Sequence, residues 1–347
     1  MRLSIAPYRL RFNHPFGTAH GLRDGTDSVF IRLEEDGHTG YGEATLPPYL
    51  HGTQASVIEE FRAVDPAVQL HAIEHGNEAF PGSMSPPARA ALSTAYYDLT
   101  ARQQDVSVST LLASRLAKST ARARTMVTLG HSVLSEIPSK LIELPWSSIL
   151  KVKLGSDHDQ ETLKAVLEQD DRPLFLDANQ GWDTVEEAIA SVELVGPARF
   201  IGLEQPFPAD RWELHRYLRT RGVDRIVGDE SIQDMADLER AAGVFSGVNV
   251  KLMKCGGLDR AVSLIARARE LGISVMLGSM SESSLGCGAM AQLAGWADLL
   301  DLDGPWLVSN DPFEGLRMDR GELIVEDPVG IGTRPKAGYL EWHHIGA

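Results

Sequence analysis

The sequence has little that could cross-link it. Among 347 residues there are two cysteines, Cys255 and Cys287, and no CxxC pair. That excludes a disulfide framework and makes a reducing cytoplasm the expected setting. No apolar run approaches the roughly 20 residues of a membrane helix, so no membrane association is expected. The N-terminal stretch MRLSIAPYRLRF lacks the apolar core of a secretory signal. Basic residues are scarce as well. Lys and Arg number 33 against 48 Asp and Glu, a formal charge of −15, with a pI near 5.2. This argues against a nucleic-acid surface. It leaves an anionic small-molecule substrate open, because a site can differ in sign from the whole. Low-complexity tracts and linkers are also absent. What is present is 43% hydrophobic and 23% charged residues, the composition of a globular chain with ample surface to bury.

From about residue 125 the chain has a rhythm. Apolar or β-branched runs recur at 125–130, 148–155, 173–180, 200–207, 225–231, 247–254, 274–279 and 299–305. Helical stretches such as HDQETLKAVLEQ and DRAVSLIARARELG lie between them. Strands alternating with amphipathic helices predict parallel βαβ units. Eight such strands suffice to close a barrel. A doubly wound sheet is the alternative, but GHSVLS after the first strand is not a Gly-rich phosphate turn. The first 115 residues differ. RLSIAPYRLRF, DSVFIRLEED and HTGYGEATL read as antiparallel strands, and SPPARAALSTAYYDLTARQQ as a helix. The tail GELIVEDPVGIGTRP reads as strand and turn that returns to the N-terminal sheet. The expected organisation is an α+β capping domain over 1–115, completed by 320–347, around a barrel over 120–319.

Charged residues stand at the ends of the proposed barrel strands. These are Lys151 and Lys153, Asp177, Glu204, Asp229, Lys251, and Asp301 with Asp303. Active sites lie at the C-terminal end of a barrel, and an apolar interior does not accept ionic groups without compensation. Three close carboxylates, Asp177, Glu204 and Asp229, would repel one another. A hard divalent cation, Mg²⁺ or Mn²⁺, removes that conflict. Lys151 and Lys153 are two apart on one strand face. Their repulsion, about 2.4 kcal/mol at an effective dielectric of 20, predicts one lysine with a lowered pKa, suited to general base work. Lys251 lies four strands on, across the barrel, so that two lysines address opposite faces of one carbon. Lys254, an odd number of residues later, points the other way in a regular strand and is taken as structural.

These residues resemble the enolase superfamily, in its muconate-lactonizing and dipeptide-epimerase group. The motifs are LKVKLG, LDANQGW, LEQPF, GDES, VNVKLMKCGG, GSMSESSLG and DLDGP, with GYGEA and AYYDL nearer the N-terminus. The resemblance implies an α/β fold, a modified TIM barrel of (β/α)7β form with an α+β N-terminal capping domain. It implies Mg²⁺ on Asp177, Glu204 and Asp229, acid/base roles for Lys153 and Lys251, and an assisting role for Lys151. The implied reaction is a two-base proton transfer through an enediolate, inverting the α-carbon of a dipeptide's C-terminal residue. Asp301 and Asp303 would hold the dipeptide's α-ammonium, a charge-assisted clamp. Thr128, Ser279 and Met280 complete the expected substrate contacts, and a homo-oligomer is expected.

In one place the pattern departs from the resemblance. Relatives acting on Ala-Glu carry an Arg in the first flexible loop, here about 16–26, which is expected to close over the site. A gapless count puts Gly21 at that position, leaving Arg23 or His20 to take over. Asp24 and Asp27 in this loop read as ordinary turn residues. The alternatives are a muconate cycloisomerase or o-succinylbenzoate synthase, or an N-acylamino acid racemase. All three share the barrel machinery and act on substrates without a free amine. A non-catalytic peptide-binding protein would not need lysines on both sides.

Overall fold

The computed structural model describes residues 1–18, 21–50, 52–63, 65–75, 84–116, 124–144, 147–319, 322–324 and 328–345. Three long strands open the chain: β1 (Arg2–Thr18), β2 (Gly21–Glu35) and β3 (His38–Leu46). They form an antiparallel sheet in the order expected. The helix Pro86–Gln103 lies across it. Two prolines at its start pre-set the helical φ. Its close approach depends on small residues. A Cβ on Gly42 would lie 1.9 Å from the Ala91 carbonyl oxygen, and one on Gly40 would lie 2.1 Å from that of Ala95. Glycines two apart on a strand therefore face alanines four apart on a helix, one contact surface written in both periodicities. On its other side the helix grips the barrel. Arg89 makes a buried bidentate pair with Asp259 (2.6 and 3.1 Å), to which Ser93 also donates (2.8 Å).

Eight parallel strands close into a barrel: β4 (Arg124–Leu129), β5 (Ile149–Lys153), β6 (Leu174–Asp177), β7 (Phe200–Glu204), β8 (Ile226–Gly228), β9 (Gly247–Val250), β10 (Ser274–Gly278) and β11 (Leu299–Asp301). An outer helix follows each of the first seven, giving the (β/α)7β form. The residues of one parity fill the lumen in layers. Met126, Ile149, Phe175, Val227 and Met276 form a separate apolar plug towards the N-terminal end. Two residues further along the same faces come Thr128, Lys151, Asp177 and Asp229. Period-two alternation thus stacks a charged layer directly on an apolar floor. No helix among the described residues is long and apolar enough to cross a membrane.

Three local readings change. The tail returns to the N-terminal sheet through His343–His344 on β1, whereas Glu322–Ile324 pairs with Arg317–Asp319 in a small hairpin. The segment around 16–26 is an extension of the β1–β2 hairpin. Phe16 pairs with Arg23, Gly17 with Leu22 and Thr18 with Gly21, after a register shift between Arg11 and Phe16. Asp24 and Asp27 both bind Arg9 (2.6 and 2.8 Å). Lys254 does not point away from the site. The chain leaves strand geometry at Lys251 and enters the short helix Leu252–Cys255, so the parity rule fails there.

Candidate active site

The charged layer converges at the C-terminal mouth of the barrel. Lys151, 1% exposed, places Nζ within 2.6 Å of Glu204, 2.6 Å of Asp301 and 2.9 Å of Asp177. Its ring neighbour below is Phe175, whose centre lies 5.9 Å from Nζ. Burial alone would push the lysine down, but the three carboxylates outweigh it and hold its pKa well above the ordinary value. Of the two strand neighbours, Lys151 is therefore not the one with a lowered pKa. Coulomb attraction to three acids at contact outweighs repulsion from one lysine two residues away. Lys153 Nζ contacts Asp177 at 2.6 Å. Across the barrel, Lys251 and Lys254 hold the two oxygens of Asp229 at 2.7 and 2.6 Å.

The acids divide accordingly. Burial opposes the ionisation of Asp177 and Asp229, but their lysine pairs win and hold both well below the usual carboxylate range. Glu204 goes the other way, to about 8, because burial and the charges of Asp177 and Asp229 exceed the help of the lysines. Burial, with Asp229 and Asp177 nearby, lifts Glu230 to about 7. Burial and Asp301 lift Asp303 to about 6. Asp303 lies beyond the end of β11 and accepts the Thr128 backbone N–H at 2.6 Å. Among the described residues no three His, Cys, Asp or Glu converge on one point as a ready metal nest. The acids point at ammonium groups instead. Asn179 Oδ1 and Glu230 Oε2 are buried without a hydrogen-bond partner.

Positive-φ residues cluster here. Asn179 (φ 44°), Gln205 (φ 36°) and Ser281 (φ 66°) follow β6, β7 and β10, a strained backbone of the kind that accumulates at functional sites. Gln205 is a brace that local pattern does not reveal. Its Oε1 accepts the N–H groups of Asp229 (3.0 Å) and Ser231 (3.1 Å), while Nε2 donates to Phe207 O (3.0 Å) and Ser231 Oγ (2.8 Å). The loop carrying Asp229 is thereby tied to the residue after Glu204.

A cavity of about 40 Å³ lies between these groups, and Thr128, Ser279, Met280, Asp301, Asp303, Lys153, Lys251 and Arg23 all line it. Tyr49, from the segment expected beside the loop to read side chains, lines it too and donates to Met280 Sδ at 3.0 Å, and Leu307 joins without any sequence signal. Arg23 sits at the mouth, 5.6 and 5.8 Å from the ring centres of Phe12 and Tyr49, and donates to Thr26 Oγ1 at 3.1 Å. Among the described residues no carboxylate pairs with it. His20 lies outside the described residues. Gly21 meets nothing within 4 Å of a built Cβ.

Comparison with known proteins agrees with the geometry. Residues 3–113 match the family described as mandelate racemase / muconate lactonizing enzyme, N-terminal domain, and residues 146–338 match enolase C-terminal domain-like. An L-Ala-D/L-Glu epimerase of Bacteroides thetaiotaomicron is 33% identical over 96% of this chain and 88% of its own. An L-Ala-D/L-amino acid epimerase of Flavobacterium johnsoniae is 32% identical over 96% of this chain and 99% of its own. A solved dipeptide epimerase from Enterococcus faecalis, complexed with Mg and L-Leu-L-Tyr, superposes with a TM-score of 0.84. It is 26% identical, with 96% of this chain and 98% of that chain covered. A closed eight-strand barrel under an N-terminal sheet, charged strand ends at one mouth, and family matches across both parts lead to one conclusion: this chain belongs to the enolase superfamily.

Proposed function

We propose that this protein is a magnesium-dependent dipeptide epimerase that inverts the α-carbon of the C-terminal residue. The observation that carries the reading is the placing of Lys153 and Lys251 on opposite sides of one cavity, with Asp301 and Asp303 at its third side. β5 and β9 are four strands apart in a ring of eight, so the two ammonium groups approach a bound carbon from opposite faces. One lysine removes the α-proton and the other returns a proton to the opposite face. Asp303 gains a cationic partner in the substrate's α-ammonium, which offsets the burial that disfavours its ionised form. Held at that end, the reacting carbon is positioned between the lysines.

The residues present fit a hard divalent cation. Asp177, Glu204 and Asp229 offer only oxygen donors, and burial together with the charges of Asp177 and Asp229 disfavours the ionised form of Glu204, a cost that a cation would offset. Asn179 Oδ1 and Glu230 Oε2 add two unpartnered oxygens beside them. Bound there, Mg²⁺ supplies the charge that favours loss of a proton next to the substrate carboxylate. Arg23 supports a finer statement. A half-buried guanidinium at the mouth with no acid partner among the described residues favours a substrate whose second residue carries a carboxylate, as in L-Ala-L-Glu.

The test is proton NMR in D₂O with Mg²⁺ and pooled L,L-dipeptides, following each C-terminal α-proton. Exchange with inversion is expected, fastest for acidic second residues. Lys153→Ala and Lys251→Ala should each abolish inversion, and near wild-type turnover in either variant removes that lysine from the mechanism. No exchange in any pool, with the protein folded and Mg²⁺ present, overturns the reading in favour of a lyase or an acyl-amino-acid racemase.

A further inference from the structure

The central cavity, at about 40 Å³, has room for the reacting groups but not for a bulky side chain. A second cavity, of about 350 Å³, opens beside it. Thr128 and Leu307 line both, and Thr128 is the residue whose N–H binds Asp303. The two spaces therefore meet at the carboxylate pair. A third trough borders this chamber along Pro15, His131, Ser132 and Lys140 and touches the central cavity at Lys153. We propose that the chamber beyond Thr128 and Leu307 is the subsite for the side chain of the substrate's first residue, and that it selects a bulky apolar side chain over that of alanine. The inference rests on the dipeptide reading above, which puts the α-ammonium on Asp303. The first residue's α-carbon is bonded to that nitrogen, so its side chain starts at the junction of the two cavities.

The chemistry of the chamber sets the preference. Its apolar surface comes from Leu129, Leu144, Trp306 and Leu307. The polar groups around it are already engaged. His14 and Glu143 pair with each other at 2.5 Å. Lys140 is held by Glu136 at 2.9 Å and donates to Ser132 at 3.1 Å. Asn13 donates to the Trp306 carbonyl at 2.9 Å, and His131 Nε2 to that of Leu154 at 2.7 Å. An anionic side chain entering here would shed water and find Lys140 already held by Glu136. An apolar one would bury its carbons against these leucines and Trp306, with Pro15 at the side.

The experiment is equilibrium binding by calorimetry. The probes are L-leucylglycine, L-phenylalanylglycine and L-alanylglycine, titrated into the wild-type protein with Mg²⁺. A second-position glycine has no stereocentre, so turnover does not disturb the measurement. Leucine adds three carbons to alanine's side chain, and burying about half of that gain is worth roughly tenfold in affinity. The leucyl and phenylalanyl peptides should bind at least that much more tightly. Equal affinities, or a preference for alanine, overturn the proposal. Leu144→Glu should bring L-leucylglycine down to the affinity of L-alanylglycine, and an unchanged leucine preference in that folded variant overturns it too. The two readings fail separately. Inversion of L-Ala-L-Glu without any first-residue preference removes the subsite alone. A preference without inversion of any dipeptide removes the epimerase reading alone. No binding of any of the three peptides removes both.

Discussion

His215 is a buried imidazole that should make folding stability fall in mild acid. It sits between the rings of Phe207 and Phe245, with centroids 5.1 and 4.8 Å away. Nδ1–H donates to Arg211 O at 3.0 Å, and Nε2 faces the Gln205 amide nitrogen at 3.3 Å, a group that offers it only N–H and would repel a second ring proton. That arrangement uses the neutral ring. Burial pushes its pKa down to about 4, from an ordinary 6.5. As pH falls through 6.5 the unfolded chain takes up this proton, while the folded chain refuses it until about 4. Stability is therefore fully present above 6.5 and lost on the way down. The loss amounts to about 2.5 kcal/mol by pH 4.5. Urea unfolding of the wild type and of His215→Gln, at pH 7.5 and 4.5, isolates the effect. Carboxylates titrate alike in both proteins and cancel in the difference. At pH 7.5 the variant should be weaker by about 1–3 kcal/mol, from imperfectly replaced buried hydrogen bonds. At pH 4.5 that gap should close or reverse. A gap of equal size at both pH values would refute the assignment of a neutral, proton-refusing ring.

Two further outcomes bear on the site. In metal-free protein, Lys151→Met leaves Asp177, Glu204 and Asp301 without their shared ammonium and should cost about 3–5 kcal/mol of stability. Mg²⁺ should restore most of it, and an equal deficit with and without Mg²⁺ in thermal unfolding would show that the lysine and a cation do not serve the same acids. Arg23→Leu should lower kcat/KM for L-Ala-L-Glu by about tenfold or more, the worth of a hydrogen bond to a charged group, while L-Ala-L-Leu is turned over at least as well. A proportional loss on both substrates would deny Arg23 a role in reading the side chain.

Much of this site is legible along the chain because a strand has only two faces. Lys151, Asp177, Glu204, Asp229 and Asp301 lie at or near the C-terminal ends of five strands of one barrel, and parity alone brings them to one mouth. Parity fails where the strand does. Lys254 reaches Asp229 because the backbone turns helical directly after Lys251. The protonation of Lys151 is likewise invisible locally, since its three partners come from β6, β7 and β11. Gln205 and His215 form a brace from separate elements, and no spacing rule links them. Tyr49 and Leu307 enter the cavity from outside the barrel strands, where the path of the chain is set by tertiary packing.

The hairpin that carries Arg23 has a consequence for how such a chain can change in length. Thr18 pairs with Gly21 and Phe16 with Arg23, so beyond the register shift after Arg11 the strands alternate regularly again up to Gly21. It is also stitched to the barrel, because His131 donates its N–H to Gly17 O at 3.1 Å and a Cβ on Gly17 would lie 2.6 Å from that of His131. Inserting or deleting one residue on the Arg23 side would turn the guanidinium out of the mouth and bring a neighbour in. Two residues would restore the facing and only move the charge along the rim by about 6.6 Å. Length variation in this hairpin is thus quantised: even steps slide the recognising group nearer or farther, and odd steps replace it.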